Sequence, residues 1–232
     1  MLKRVVVCSL FLVTATRRFA GTQKMTEPSK KTSKALKKNL KGMFQRVLLC
    51  LSSIFLSFST ALSTTSTIYI IRHGEKKWAL GCLSAAGQKR ANLLPSIFDG
   101  SKFSTPERIF ANYYDDKIDC ERCIQTVTPI AKKLNLSVNS TYGYNVWLGG
   151  NELAAQAFRR VISVQKVPTT ILVAWEHVNI KPLTEALGVD GSTIPTWGSS
   201  DFDTVFVLDV NTTGHVIGFR VAAENITGTT LL

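Results

Sequence analysis

Thr67-Ile-Tyr-Ile-Ile71, followed at once by Arg72-His73-Gly74-Glu75, decides how the chain folds. A run of β-branched and aromatic residues without polar alternation reads as a strand buried on both faces, the kind found in parallel sheets covered by helices. In such sheets ligands bind outside the carboxyl ends of the strands, so residues 72–75 stand where chemistry is expected. A second apolar run, Thr169-Thr-Ile-Leu-Val-Ala174, leads in the same way into Trp175-Glu176-His177. Parallel neighbours end on the same side, so the two histidines can meet with no unusual backbone path.

Outward from these strands the chain alternates. Ser84 stands as an N-cap before a helix over Ala85–Leu94, with Pro95 marking its limit. Arg108–Ala111 reads as a short strand. Glu121–Leu134 reads as a helix, with Ile124, Val127, Ile130, Ala131 and Leu134 at helical spacing. Further helices are predicted over Asn151–Val161 and over Lys181–Leu187, the latter ended by Gly188. Two closing strands, Thr204–Leu208 and His215–Val221, are joined by Asn211-Thr-Thr-Gly214 as a hairpin turn. This alternation predicts an α/β protein, a three-layer α/β/α sandwich with a mostly parallel central sheet. A domain over 67–232 is long enough to bury close to about 70% of its unfolded surface.

The chain has 232 residues and a net charge of +12, with 45% apolar and 19% charged residues. That composition excludes a disordered or fibrous chain, and five Cys are too few for a disulfide-framed miniprotein. The charge is unevenly placed: residues 1–66 hold twelve Lys or Arg against the single acid Glu27, and 67–232 hold sixteen against fifteen acids. The nearly neutral domain gives no reason to expect a nucleic-acid partner.

Residues 1–66 read as an N-terminal targeting or anchor extension. It has signal-like apolar segments at 5–16 and 47–62, each behind basic residues, with a basic Ser/Thr-containing linker between them. As a helix, Val47–Leu62 would span roughly 24 Å, short of the hydrocarbon core of about 30 Å. Three readings stay open: a cleaved signal peptide, an uncleaved anchor attaching the protein to a membrane through 47–62, and a transit peptide for an organelle such as a plastid or mitochondrion. Asn-x-Ser/Thr sequons at Asn135, Asn139, Asn211 and Asn225 favour the secretory pathway, and so a secreted or membrane-anchored glycoprotein. Oligomeric state has no signature in the chain.

Around the two histidines, arginines turn the strand ends into a pocket for a phosphoryl group. Arg presents a planar fork that matches two oxygens and keeps its charge at every useful pH. Arg72 is one candidate; Arg122, at the start of the helix after the second strand, is another. Gly74 is expected to let a substrate approach the backbone closely. No His/Cys/carboxylate spacing indicates a metal site, and no cofactor is expected.

These residues resemble the histidine phosphatase superfamily, also called the phosphoglycerate-mutase-like family. Ile70-Ile-Arg-His-Gly-Glu75 carries the first motif, and Leu83-Ser84, Gly87 and Arg90-Ala91 match the helix start that follows it. Cys120-Glu-Arg122-Cys-Ile-Gln125-Thr126 is similar to the second-arginine motif, and Ile171-Leu-Val-Ala-Trp-Glu-His177 to the second-histidine strand. The resemblance spans 67–232. It implies a catalytic domain with a metal-independent phosphohistidine mechanism, in which His73 is the nucleophile and Arg72, Arg122 and His177 hold the phosphoryl oxygens. The substrate it implies is a phosphorylated small molecule or phosphopeptide, hydrolysed as a phosphomonoester. A phosphoglycerate-type mutase and a catalytically weak phosphate-binding module are the alternatives.

The family's proton-donating acid has no clear counterpart in the commonest patterns. Glu176 is the first choice and Glu152 the second, with Glu75 a third that serves equally to buttress the pocket. Strand alternation counts against Glu176 unless the strand has ended before it. Arg90 reads as a helix-surface residue near the site, His215 as structural, and Cys120 and Cys123 as two packed thiols.

Overall fold

A computed structural model describes residues 65–77, 81–113, 121–143, 149–165 and 167–226, all within one compact unit, Ala61–Leu232. Residues 1–64 of the expected N-terminal extension, with the apolar segments 5–16 and 47–62, lie outside the described residues, and Ser66 already belongs to the sheet. Among the described residues, no helix is long and apolar enough to cross a membrane.

Six strands form one sheet: β1 Ser66–Arg72, β2 Arg108–Ala111, β3 Val138–Asn139, β4 Thr170–Trp175, β5 Thr204–Val210 and β6 Val216–Ala223, in the order β3-β2-β4-β1-β5-β6. The pairs β2/β3, β2/β4 and β1/β4 are parallel, whereas β5 runs antiparallel to both β1 and β6. Four helices are described: α1 Ala85–Ile97, α2 Glu121–Leu134, α3 Gly150–Gln165 and α4 His177–Ala186.

Strand alternation splits the core in two. Ile68 and Ile70 of β1, Ile171, Val173 and Trp175 of β4, and Phe206 and Leu208 of β5 face α3 and α4, where they meet Phe158, Ile162, Ile180 and Leu183. Tyr69 and Ile71, Leu172 and Ala174, and Val205 and Val207 face α1 and α2, against Leu94, Phe98, Val127 and Ile130. Both faces of the central strands are therefore covered, which is why β1 and β4 carry apolar side chains without a break. The sequence expectation of a three-layer sandwich with a mostly parallel sheet holds.

Several element boundaries differ from expectation, three of them instructively. Pro95 does not end α1, which runs on to Ile97; the ring removes one backbone donor in the last turn, where the helix is ending in any case. The helix α3 continues past Val161 to Gln165. Most consequential for the site, α4 begins at His177 and not at Lys181, so Pro182 lies well inside it. At the C-terminal end the hairpin is as expected, with Asn211 N donating to His215 O and Gly214 turning the chain at φ 85°.

Candidate active site

The register of β1 against β4 builds the site. Arg72 pairs with Trp175, so the residues that leave the sheet next, His73 and Glu176-His177, emerge side by side, and His73 N donates to Trp175 O at 3.2 Å. The two imidazole centroids lie 6.3 Å apart. β4 ends at Trp175 and Glu176 occupies the N-cap position of α4, with φ −72° and ψ 128°. The alternation argument against Glu176 therefore lapses, because the strand has ended before it.

The loop after β1 sits against α1 and α2. Gly74 N donates to Thr126 Oγ1 at 2.8 Å, and that hydroxyl donates in turn to Arg122 O at 2.6 Å. Ser84 N donates to Glu75 O, while the Ser84 hydroxyl caps α1 by accepting from Gly87 N. Gly74 and Gly87 face each other so closely that a Cβ on Gly87 would lie 2.3 Å from Glu75 O, and one on Gly74 3.0 Å from Gly87 O. A side chain on either residue would crowd the packing of this loop on α1.

His73 is 1% exposed, and its tautomer follows from its partners. Nδ1 lies 2.7 Å from Gly74 O, and a carbonyl can only accept, so Nδ1 carries the proton. Arg122 Nε donates to Nε2 at 3.2 Å, and a guanidinium can only donate, so Nε2 carries the lone pair. Arg122 also donates from NH2 to Glu176 Oε2 at 2.7 Å, and Glu176 Oε2 lies 3.4 Å from His73 Nε2. His177 Nδ1 donates to Glu176 Oε1 at 2.6 Å. One carboxylate therefore joins both histidines and an arginine.

Burial works against ionisation of Glu176, but its neighbours outweigh it and hold the carboxyl well below the usual carboxylate range: His73 whenever its imidazole is protonated, the Arg122 guanidinium and the His177 hydrogen bond. Burial lowers the pKa of His177, with Glu176 opposing. Burial also lowers that of Arg72, though not enough to discharge a guanidinium.

Arg72 is 6% exposed, and its NH1 donates to Gly198 O, Ser199 O and Asp201 O at 3.3, 2.6 and 3.1 Å. Its guanidinium stacks 3.9 Å from the Phe202 ring, and that ring stands 6.2 Å from the His73 ring. The carbonyls grip one nitrogen and Phe202 one face, which fixes the orientation of the group; Nε is buried with no partner. Neither the 198–201 carbonyls nor Phe202 carries a sequence pattern that marks it for this task.

Of the remaining candidates, Glu152 is exposed in the first turn of α3 and shares no described hydrogen bond or ion pair with the cluster. His215 is exposed in the turn just before β6. Cys123 is fully buried and disulfide-bonded, which corrects the packed-thiol reading for it; Cys120 lies outside the described residues. His73, Glu176 and His177 bring three ligand-type atoms within 4.8 Å of one another, a cluster that sequence spacing did not reveal. Arg122 lies against two of the three, and a fixed positive charge there favours an anion over a cation.

Arg90 is not on the helix surface. It is 4% exposed, and its Nε and NH2 grip the Glu75 carboxylate at 2.9–3.2 Å. Its NH1 donates to Glu224 Oε2 at 3.0 Å, with Asp203 Oδ1 3.9 Å away. Burial pushes the Glu224 carboxyl up to about 8; Arg90 pulls the other way but is shared with Glu75. A carboxyl whose pKa is raised on folding holds its proton more tightly in the native state. Its contribution is therefore intact below the unfolded value near 4.5 and lost as pH rises towards 8. Denaturant titrations from about pH 5 to about pH 8 are expected to show stability falling by up to about 1.4 kcal/mol per pH unit, with Glu224→Gln flattening that slope. Equal slopes in the two proteins would refute the assignment.

Solved structures similar to this chain include the protein histidine phosphatase SixA complexed with tungstate, at 17% identity and TM-score 0.49, covering 68% of this chain and 97% of that one. A mycobacterial glucosyl-3-phosphoglycerate phosphatase is similar at 13% identity and TM-score 0.48, covering 70% and 100%. A phosphoserine phosphatase from Entamoeba histolytica, in complex with 3-phosphoglyceric acid, is similar at 16% identity and TM-score 0.46, covering 72% and 100%. No protein-family model matches the chain, and no curated protein matches it.

Proposed function

We propose that the protein is a phosphomonoesterase acting through a phosphohistidine on His73. The observation that carries this reading is the preset tautomer: Gly74 O holds the Nδ1 proton, so the Nε2 lone pair faces the pocket beside Arg122. The resemblance of four motif segments to the histidine phosphatase superfamily supports it. A phosphorylated small molecule or phosphopeptide is the substrate class.

In the first step the Nε2 lone pair attacks phosphorus, a P–N bond forms, and the P–O bond to the leaving group breaks with its electron pair staying on oxygen. Arg72, Arg122 and His177 hold the non-bridging oxygens, where preorganised donors lower the barrier most. In the second step water attacks phosphorus, its proton passes to a base, and the P–N pair returns to His73.

Glu176 is the proposed proton carrier. As it stands the carboxyl is ionised, so an arriving phosphoryl dianion must first compete for Arg122; the lost contact and the added negative charge raise the pKa of Glu176 and let it take up a proton. It then protonates the leaving oxygen and afterwards accepts the proton of water. The same ionised state favours a second reading, a slow phosphate-binding module. We also propose a secretory destination, on the strength of the apolar leader segments and the sequons.

Assays with p-nitrophenyl phosphate and with alkyl phosphates of increasing leaving-group pKa test the reading. Glu176→Gln is expected to lower kcat by about 10²–10³ for alkyl esters, which need protonation, and under about tenfold for p-nitrophenyl phosphate, which does not. Equal losses would remove Glu176 from proton transfer. Tight binding of tungstate by wild-type protein without turnover of any ester would leave the binding module.

A further inference from the structure

We propose that Arg90 is a positioning residue for the nucleophile, tying Glu75 to the buried Glu224 and so holding the Gly74–Glu75 peptide whose carbonyl sets the His73 tautomer. The inference deepens the phosphohistidine reading and rests on it.

The path is continuous. Glu224, 3% exposed just after β6, accepts from Arg90 NH1; Arg90 Nε and NH2 clamp the Glu75 carboxylate; and Glu75 N belongs to the peptide whose oxygen, Gly74 O, takes the Nδ1 proton. Arg90 itself has no reach for a substrate. Its Nε and both terminal nitrogens are engaged by the two carboxylates, and its guanidinium carbon lies 6.0 Å from the Phe202 ring that separates it from Arg72.

The peptide needs such a hold. Gly74 lacks a Cβ, so its own φ and ψ restrain the adjoining peptides less than those of another residue would. Gly74 N is fixed by Thr126 and Glu75 O by Ser84, but the plane between them, which contains Gly74 O, has no described hydrogen-bond partner except His73 itself. Fixing the Glu75 side chain from α1 closes that freedom. A flipped Gly74 carbonyl would offer Nδ1 no acceptor and let the proton move to Nε2, which removes the attacking lone pair.

A single guanidinium also serves Glu75 and Glu224 with Asp203 nearby, so deleting it leaves the Glu75 carboxylate without its counter-charge and the buried Glu224 carboxyl without its donor. The informative variants therefore keep the local charge or reduce it: Arg90→Lys keeps the cation without the bidentate fork, and Glu75→Gln loosens the grip from the other side.

The chain has three histidines, so ¹⁵N-labelled imidazole spectra resolve His73 readily. Wild-type protein is expected to show two well-separated ring-nitrogen shifts of a fixed Nδ1–H tautomer. Arg90→Lys and Glu75→Gln are expected to draw those shifts together and to lower kcat by between about ten- and a hundredfold at nearly constant KM. A lower kcat with the fixed-tautomer spectrum intact would show a merely structural role and overturn the proposal, as would unchanged spectra and unchanged kcat in Glu75→Gln. The spectra read the tautomer whether or not any ester turns over, so failure of the phosphatase reading is seen separately, as wild-type protein with the expected shifts and no hydrolysis.

Discussion

His73→Ala is expected to lower turnover of p-nitrophenyl phosphate at least about a thousandfold, because the variant loses the atom to which phosphorus bonds and not merely a contact to it. The loss should be in kcat. Arg72 keeps its three carbonyl contacts and its stacking on Phe202, so the anion pocket retains one oriented guanidinium, while Arg122 keeps Glu176 as a partner. Tungstate binding is therefore expected to persist within about tenfold, since the imidazole supplies one contact among several preorganised donors. Quenching with an alkaline denaturant during turnover should trap a phosphoenzyme in wild-type protein, stable in base and labile in acid, and none in His73→Ala. The buried ring leaves a cavity, so a thermal melt must accompany the assay. Retention of more than about a tenth of wild-type turnover by a folded variant would end the phosphohistidine reading, since transition-state losses for a missing nucleophile are far larger.

Much of this was legible because β1 and β4 are written in an unambiguous code. Ile68–Ile71 and Ile171–Ala174 are apolar at every position, which only a strand covered on both sides can use, and that alone placed residues 72–75 and 175–177 at the ligand-binding edge. The position of α4 was less legible. Lys181 reads as its first residue, whereas the helix starts four residues earlier without any capping side chain, which frees Glu176 from the strand pleat and leaves its Oε2 3.4 Å from His73 Nε2. Arg90 was misplaced because the sequence around it, Gln88-Lys89-Arg90-Ala91-Asn92, looks solvated; its partners Glu75 and Glu224 lie 15 and 134 residues away, and no local pattern announces a burial that depends on where the chain returns. The carbonyl cradle at 198–201 escaped for a related reason: backbone oxygens have no sequence signature, and any residue types could have supplied them.

Arg122 carries the second large effect. Its Nε and NH2 address two different groups, the nucleophile and the carboxylate, along a geometry that a point charge cannot reproduce. Arg122→Ala is expected to lower kcat/KM by about 10²–10³, the range for a lost preorganised donor, and Arg122→Lys to recover less than a tenth of that loss. The substitution should also move Glu176. Without the guanidinium the carboxyl loses a contact that favours its charged form, so its pKa rises towards the ordinary value. Because a depressed pKa contributes stability above the unfolded value and loses it as pH falls, Arg122→Ala should lower stability near neutral pH and weaken its decline in acid. Two roles for Arg122 then remain to be separated, ligand for the phosphoryl group or counter-charge for Glu176. Adding Glu176→Gln separates them by tungstate titration. If Arg122 only neutralises the carboxylate, removing that charge restores binding in the double variant to the level of Glu176→Gln alone. If it holds the anion, binding stays weakened by a similar factor in both backgrounds, and the geometry favours the latter because Nε donates to the very atom, His73 Nε2, at which phosphorus must arrive.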